Sequence, residues 1–219
     1  GTVTGVQTCA LPIFHKEIKH SVLYFFLIAN KRKGYDKNIH PDKEPMKQLI
    51  QRHAANYNSG IHPSWQSGDD KDLLMKEIQK MEELTGKKTE NSRQHYIRMN
   101  LSHTYRLLEE AGIRHEYSMG YGSINGFRAS FANDYAWYDL ENEKTTSLRI
   151  HPFCFMDANS HFEQGQEAAQ TIKELDYYVK ECKAIGGLFI SIFHNNILSE
   201  DKYMRGWKEM YARFISQLQ

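Results

Sequence analysis

The run Val-Leu-Tyr-Phe-Phe-Leu-Ile at Val22–Ile28 decides the fold. It is rich in β-branched and aromatic residues and does not alternate between polar and apolar positions. A strand with this pattern is covered on both faces, as the strands of parallel sheets are. Even extended through Ala29, the run is too short to span a bilayer. Gly187–Phe193 (GLFISIF) has the same character, and both runs therefore predict buried strands of an α/β fold.

Outward from these strands, amphipathic helical stretches alternate with short apolar runs, a pattern typical of repeated βα units. Asp69–Leu84 is the clearest helix, because its apolar residues form one stripe and Gly86 follows it. The other predicted helices are Lys43–Asn56, Ser102–Ala111, Gln166–Ala184 and Tyr203–Leu218. The other predicted strands are Ser59–His62, Ser92–Met99 and Ser147–Met156, with a long loop or lid at Tyr117–Trp137. We expect one domain.

The overall composition argues against several classes of function. The chain has 219 residues with a net charge of +1, from 28 basic and 27 acidic side chains. This balance gives no electrostatic footprint for nucleic acid or an anionic membrane surface. The three cysteines lack any Cys-x-x-Cys spacing and suggest neither a disulfide framework nor a zinc knuckle. No membrane segment or secretory signal is visible, and we expect a cytoplasmic protein.

The first thirteen residues, 1–13 (GTVTGVQTCALPI), resemble read-through from a sequencing adaptor more than a protein segment. They carry neither helical nor strand periodicity, although a short native strand is the alternative interpretation. We therefore expect a domain over residues 14–219 that is incomplete at its N-terminus.

Three histidines stand at the ends of predicted strands, where the loops of βα folds gather functional side chains. They are His62, His95 and His194. Neutral imidazoles are suitable ligands for zinc and similar metals, and a catalytic zinc site takes about three protein ligands plus an open position. A lone histidine near a strand end is more often a hydrogen-bonded structural residue, so only the coincidence of three supports a metal site.

An ordered set of motifs resembles the polysaccharide deacetylase superfamily, the NodB-like family-four carbohydrate esterases. The motifs are Gly60-Ile61-His62-Pro63-Ser64, Ser92-Arg93-Gln94-His95-Tyr96, Gly126-Phe127-Arg128-Ala129, Pro152–Asp157 and Ser191-Ile192-Phe193-His194-Asn195. The resemblance spans Val22 to Leu218, and it implies a distorted (β/α) barrel of the polysaccharide deacetylase type. It also implies a metal-dependent hydrolase that removes acetyl groups from N- or O-acetylated sugars, in bacterial surface-polysaccharide metabolism.

The resemblance assigns roles to individual residues. His62 is implied as a metal ligand in either of two possible registers, Arg93 as the arginine that orients the catalytic base, and His194 as the general acid. The family's other metal-binding histidine is absent, since the matching positions hold Gln66 or Asn58. His95 could replace it by our own inference. The implied cofactor is a divalent metal, zinc by preference.

The family's first motif, a strand with the base and metal aspartates, should precede Val22. Residues Gly1–His20 contain no aspartate, so we expect the barrel to lack its first strand and the fragment itself to be inactive.

Further candidates surround these positions. An acetylated carbohydrate could contact the side chains of Trp65, Tyr96, Tyr121, Phe127 and Arg128, although core packing is the alternative for the aromatic residues. Asp157 could support a histidine from outside the ligand shell, either His151 or a metal-bound imidazole.

Two other functions remain open. A catalytically silent barrel could bind carbohydrate or a partner, which the imperfect second motif favours. A different barrel hydrolase, such as an amidohydrolase or phosphoesterase, would show an early His-x-His and more carboxylates at strand ends, and neither pattern is seen.

Overall fold

Leu23–Leu27 forms strand β1, and every residue in it is buried, as the apolar run predicts. The structure is a computed structural model that describes residues 15, 22–31 and 33–218. The expectation of a non-native segment at residues 1–13 therefore lies outside the described residues. Contacts divide the chain into two compact units, which are described separately. The sheet unit comprises Phe25–Met119 and Asp134–His151, and the second unit comprises the remainder.

The sheet unit is built on six strands in the order β1-β2-β3-β4-β6-β5. After β1, they are β2 Asn58–His62, β3 Asn91–Ser92, β4 His115–Glu116, β5 Tyr135–Asp139 and β6 Lys144–Ile150. The pairs β2–β3, β3–β4 and β4–β6 are parallel, with Ile61 opposite Ser92 and His115 opposite Arg149. The carboxyl ends of β2, β3 and β4 therefore lie at one edge of the sheet.

Helices form the connections between successive strands from β1 to β4. They are α1 Glu44–Asn56, α2 Lys71–Thr85 and α3 Leu101–Glu110. The Asp70 side chain accepts a hydrogen bond from the Leu73 amide at the start of α2, and Gly86 ends the helix with φ +66°. Gly86 ends the helix as the sequence pattern predicts, and Asp70 is a favourable residue for the start of a helix.

The second unit contains a parallel pair of strands, β7 Phe155–Met156 and β8 Ser191–Ile192, with helices α4 Ala168–Ala184 and α5 Trp207–Gln217. The two helices pack on each other. The largest buried side chains of this unit are aromatic, namely Phe153, Phe155, Phe193, Trp207, Tyr211 and Phe214.

The α/β class and the parallel sheet are confirmed, whereas several strand bounds were wrong. The predicted strand Ser92–Met99 ends at Ser92, because the chain turns sharply at His95–Ile97. The predicted strand Ser147–Met156 is two strands, β6 and β7, in different sheets. The predicted lid also contains the start of β5, which pairs antiparallel with β6. The described strands form two separate sheets, and closure into a barrel remains a prediction from sequence.

Candidate active site at the carboxyl edge of the sheet

A tight turn after β1 delivers a buried carboxylate to the carboxyl edge of the sheet. The Asp36 amide donates to the Lys33 carbonyl at 3.1 Å, and Gly34 provides the positive φ of +62° within this turn. Tyr35 projects outward with 51% of its surface exposed, whereas Asp36 is fully buried. Asp36 is not among the site residues predicted from the sequence, because it has no aspartate neighbour or other motif to mark it.

Asp36 gathers three donors from two different loops. Its Oδ1 accepts from the Trp65 amide at 2.9 Å, and its Oδ2 accepts from Gln66 Nε2 at 3.0 Å. His95 Nδ1 lies 2.9 Å from Oδ1, completing the set. A buried carboxylate is stable only when it is hydrogen-bonded in this way. Asp36 therefore fixes the positions of His95 and of the loop after β2.

A second buried carboxylate, that of Glu77, holds the loop after β2 in place. Glu77 on α2 accepts from the Ser64 amide at 2.9 Å, and the Ser64 hydroxyl accepts from the Ser67 amide at 3.1 Å. Ser64 thus begins the 3₁₀ turn Trp65–Asp69, which carries the two donors to Asp36. Burial raises the pKa of Glu77 above its ordinary value.

His62 ends β2 and faces His95. Its Nδ1 is hydrogen-bonded to the Arg93 carbonyl, and the His62 and His95 ring centroids are 4.8 Å apart. An imidazole nitrogen beside a carbonyl or a carboxylate carries the proton, so both rings have Nδ1 as the donor. In this tautomer each Nε2 carries the lone pair, which is the form in which histidine binds a metal or accepts a proton.

The turn that holds His95 has an unusual backbone. Tyr96 and Ile97 adopt φ values of +57° and +54° in succession. A left-handed backbone conformation is unfavourable for residues other than glycine, and most of all for β-branched residues such as isoleucine. Such conformations cluster at functional sites. In this protein the turn orients His95 inward and leaves Tyr96 63% exposed.

Aromatic side chains form a rim beside the two imidazoles. The Tyr35 ring lies 4.7 Å from Tyr96 and 5.2 Å from Trp65, measured between centroids. The Arg98 guanidinium lies 4.0 Å above the Trp65 ring. Two predicted residues, Trp65 and Tyr96, thus both contact Tyr35, which was not predicted as a site residue.

Behind the strand ends lies a buried polar network around Arg93 and Glu116. Glu116 is fully buried and accepts from the Ser118 amide and hydroxyl. The Ser118 hydroxyl also accepts from the Gln94 amide at 2.7 Å. Burial raises the pKa of Glu116 to about 7, opposed by the hydrogen bonds from Ser118 and the charge of Arg93. Arg93 is itself 3% exposed, and its backbone carbonyl holds His62.

His151 belongs to a separate cluster of the sheet unit. His115 Nδ1 lies 2.9 Å from His151 Nε2, and the His151 ring stacks on Tyr117 at 4.4 Å. Burial and the neighbouring His115 lower the pKa of His151 to about 4. The hydrogen-bonding partner that the structure gives His151 is therefore His115.

In the second unit, His194 follows β8 and pairs with Asp157, which follows β7. His194 Nδ1 lies 2.6 Å from Asp157 Oδ1, and Asp157 Oδ2 accepts from the His194 amide at 2.5 Å. Asp157 is fully buried. Asp157 was expected beside His151 or a metal-bound imidazole, whereas the structure pairs it with His194, the predicted general acid.

The glycine-rich loop of the second unit carries the remaining candidates. Tyr121 is 38% exposed, Phe127 contacts Tyr178 edge to face, and Arg128 donates to the Gly120 carbonyl at 3.3 Å. Buried Asn159 holds the loop by donating to the carbonyls of Tyr121 and Ile124. Arg128 and Phe127 thus have structural partners within the unit.

The two imidazoles at the sheet edge fit a divalent metal in residue type and in tautomer. Among residues 15, 22–31 and 33–218, however, no group of three or more His, Cys, Asp or Glu side chains is arranged to hold a metal. No helix in this part of the chain is long and apolar enough to cross a membrane.

Comparison with known proteins places the fold. No protein-family model and no curated protein gives a significant match to this chain. The chain is similar to a solved structure described as a "putative polysaccharide deacetylase" from Mycobacterium smegmatis, with a TM-score of 0.63 and 17% identity. The match covers 95% of this chain and 67% of that one. At this identity the likeness is one of fold.

Proposed function

We propose that this protein is a metal-dependent hydrolase that removes acetyl groups from acetylated sugars. The observation that carries the proposal is that Nδ1 of His62 and Nδ1 of His95 each lie against an oxygen acceptor. Paired imidazoles held in this way are typical of metal sites, where an outer acceptor orients each ligand. The similar fold of a protein described as a "putative polysaccharide deacetylase" supports the same class of reaction.

His62 and His95 would hold a divalent metal, zinc by preference, through their Nε2 atoms. Such an ion supplies Lewis-acid polarisation of a carbonyl and a lower pKa for bound water. Asp36 acts through His95: it fixes the orientation of the imidazole ring and makes Nε2 a stronger electron-pair donor to a metal. Arg93 fixes His62 through its carbonyl oxygen.

Amide hydrolysis also requires a proton for the leaving nitrogen. The resemblance to polysaccharide deacetylases gives His194 as the donor in our proposal. Within its own unit, Asp157 holds the ring through Nδ1 and would stabilise an imidazolium able to deliver the proton. A water oxygen bonds to the acetyl carbon, the bond from that carbon to the sugar nitrogen or oxygen breaks, and the sugar atom takes the proton from His194. The acetic acid that forms releases a proton, which restores the imidazolium.

Acetate release from N-acetylated oligosaccharides tests the proposal directly. In the full-length gene product, we expect acetate release to fall to background in His62→Ala and after treatment with a chelator, and to return with zinc. His103→Ala is the matched control, since His103 is exposed on α3. Undiminished acetate release in His62→Ala together with chelator would refute metal-dependent hydrolysis at this site.

A catalytically silent carbohydrate-binding domain is the second candidate. It is favoured by the exposed rings of Tyr35 and Tyr96 and by the incomplete ligand set among the described residues. This candidate requires oligosaccharide binding with no acetate release and less than stoichiometric zinc after purification. Elemental analysis of the purified chain separates the two.

A further inference from the structure

A run of basic residues lies beside the aromatic rim. Residues 31–37 read Lys-Arg-Lys-Gly-Tyr-Asp-Lys, and the side chains of Lys31, Lys33 and Lys37 are exposed. Lys33 begins the turn that presents Tyr35, and Lys37 follows Asp36 directly. Because adjacent Cα atoms are about 3.8 Å apart, the Cα atoms of Lys33 and Lys37, each two positions from Tyr35, lie within about 8 Å of the Tyr35 Cα atom.

The carboxylates near this run are already engaged. Asp36 turns inward to His95 at 2.9 Å. Asp42 pairs with Lys80 at 2.5 Å, and Asp69 pairs with Arg98. Within the described part of the chain, Lys31, Lys33 and Lys37 form no ion pair with a carboxylate. The turn therefore exposes positive charge beside an aromatic surface, while the net charge of the whole chain is only +1.

We infer that the substrate is an anionic polysaccharide whose uronic acid residues bind at the rim formed by Tyr35, Tyr96 and the lysines of residues 31–37. The apolar face of a pyranose ring packs on the exposed Tyr35 and Tyr96 rings, and the sugar carboxylate pairs with Lys33 and Lys37. The acetylated sugar next to it lies toward His62 and His95. This inference rests on the proposed function, because it names the substrate class of the same site.

Exposed ion pairs are individually weak, and salt screens them. The preference should therefore be modest in size and sensitive to ionic strength. A neutral acetylated oligomer can use the same aromatic surface but gains nothing from the lysines. Charge and aromatic contributions are consequently separable by substitution.

Two oligosaccharides of equal length make the test. The hyaluronan tetrasaccharide alternates N-acetylglucosamine with glucuronate, whereas chitotetraose contains N-acetylglucosamine alone. Calorimetric titration of the intact chain should show the hyaluronan tetrasaccharide binding about five-fold more tightly at about 0.05 M NaCl. The difference should largely disappear at about 0.5 M NaCl.

Substitutions locate the effect. Lys33→Gln with Lys37→Gln should remove the preference and leave chitotetraose binding intact, whereas Tyr35→Ala should weaken both oligosaccharides by about five-fold. Lys180→Gln and Tyr177→Ala are matched controls on the exposed surface of α4 and should change neither. Equal affinity for the two probes, absence of binding to the anionic probe, or a preference that persists without both lysines would each overturn the inference.

Acetate release by the full-length gene product from the same probes distinguishes failure of this inference from failure of the proposed hydrolase function. Release without any preference for the anionic probe leaves the hydrolase in place and removes the inference. A lysine-dependent preference without acetate release removes the hydrolase and supports a binding domain for anionic glycans.

Discussion

Asp36 and His95 are separated by 59 positions in the sequence, yet Asp36 Oδ1 and His95 Nδ1 lie 2.9 Å apart. The adjacent residues Tyr35 and Tyr96 also meet, with ring centroids 4.7 Å apart. Two loops thus make two consecutive contacts, a buried polar one and an exposed aromatic one. The buried contact with Asp36 fixes the orientation of the His95 ring. The exposed contact between Tyr35 and Tyr96 forms part of the aromatic rim beside that ring.

Asp36→Asn should destabilise the protein, because an amide cannot accept from all three donors that surround the carboxylate. We expect the free energy of unfolding to fall by about 2 kcal/mol, the typical value of hydrogen bonds to a buried charged group. Urea unfolding of the variant measures this loss. Asp176→Asn, at an exposed position on α4, is the control. Equal midpoints for Asp36→Asn and the parent protein would show that the cluster contributes nothing to stability.

Glu116 should make stability depend on pH near neutrality. Its pKa rises from 4.5 to about 7 on folding, chiefly through burial, so the folded state holds a proton that the unfolded state releases. The stabilising effect is complete below about pH 4.5 and is lost as the pH rises through about 7, by about 3 kcal/mol in total. Urea unfolding from about pH 5 to about pH 8 measures the slope.

Glu116→Gln is uncharged at every pH and should flatten this slope. Glu163→Gln, in an exposed position of the second unit, should retain it. If the Glu116→Gln variant and the parent protein lose stability in parallel over this range, Glu116 is not the group responsible.

The fold could be predicted because burial follows local patterns. The unbroken apolar run of β1 and the capping residues of α2 are readable from neighbouring positions alone. Asp36 could not be predicted as a site residue, since its importance comes from donors on two distant loops. Similarly, the end of β3 at Ser92 depends on the left-handed turn at Tyr96 and Ile97, which neither side chain favours. At this turn the tertiary contacts of His95 and Tyr96 override the backbone preferences of Tyr96 and Ile97.

Asp157→Asn should impair catalysis more than folding of the second unit. Asn can still accept one hydrogen bond from the His194 amide, but it no longer stabilises a protonated His194 ring. In the full-length gene product, we expect kcat for acetate release to fall by about a hundred-fold with KM little changed, as for loss of a positioned general acid. His194→Gln should lose at least as much activity. A change confined to KM would instead place the pair in substrate binding.

Tyr96→Asn should separate stability from binding at the strained turn. Asn tolerates the left-handed conformation better than Tyr does, and Tyr96 is 63% exposed, so little burial is lost. We expect the free energy of unfolding to rise by up to about 1 kcal/mol, while affinity for acetylated oligosaccharides falls with the loss of the ring. Thermal unfolding and calorimetric titration on the same sample measure the two effects. Tyr203→Asn is the control, because Tyr203 is also well exposed but has no positive φ. Unchanged affinity in Tyr96→Asn would remove Tyr96 from the binding surface, and a loss of stability would mean that its contacts with Tyr35 and His95 outweigh the backbone strain.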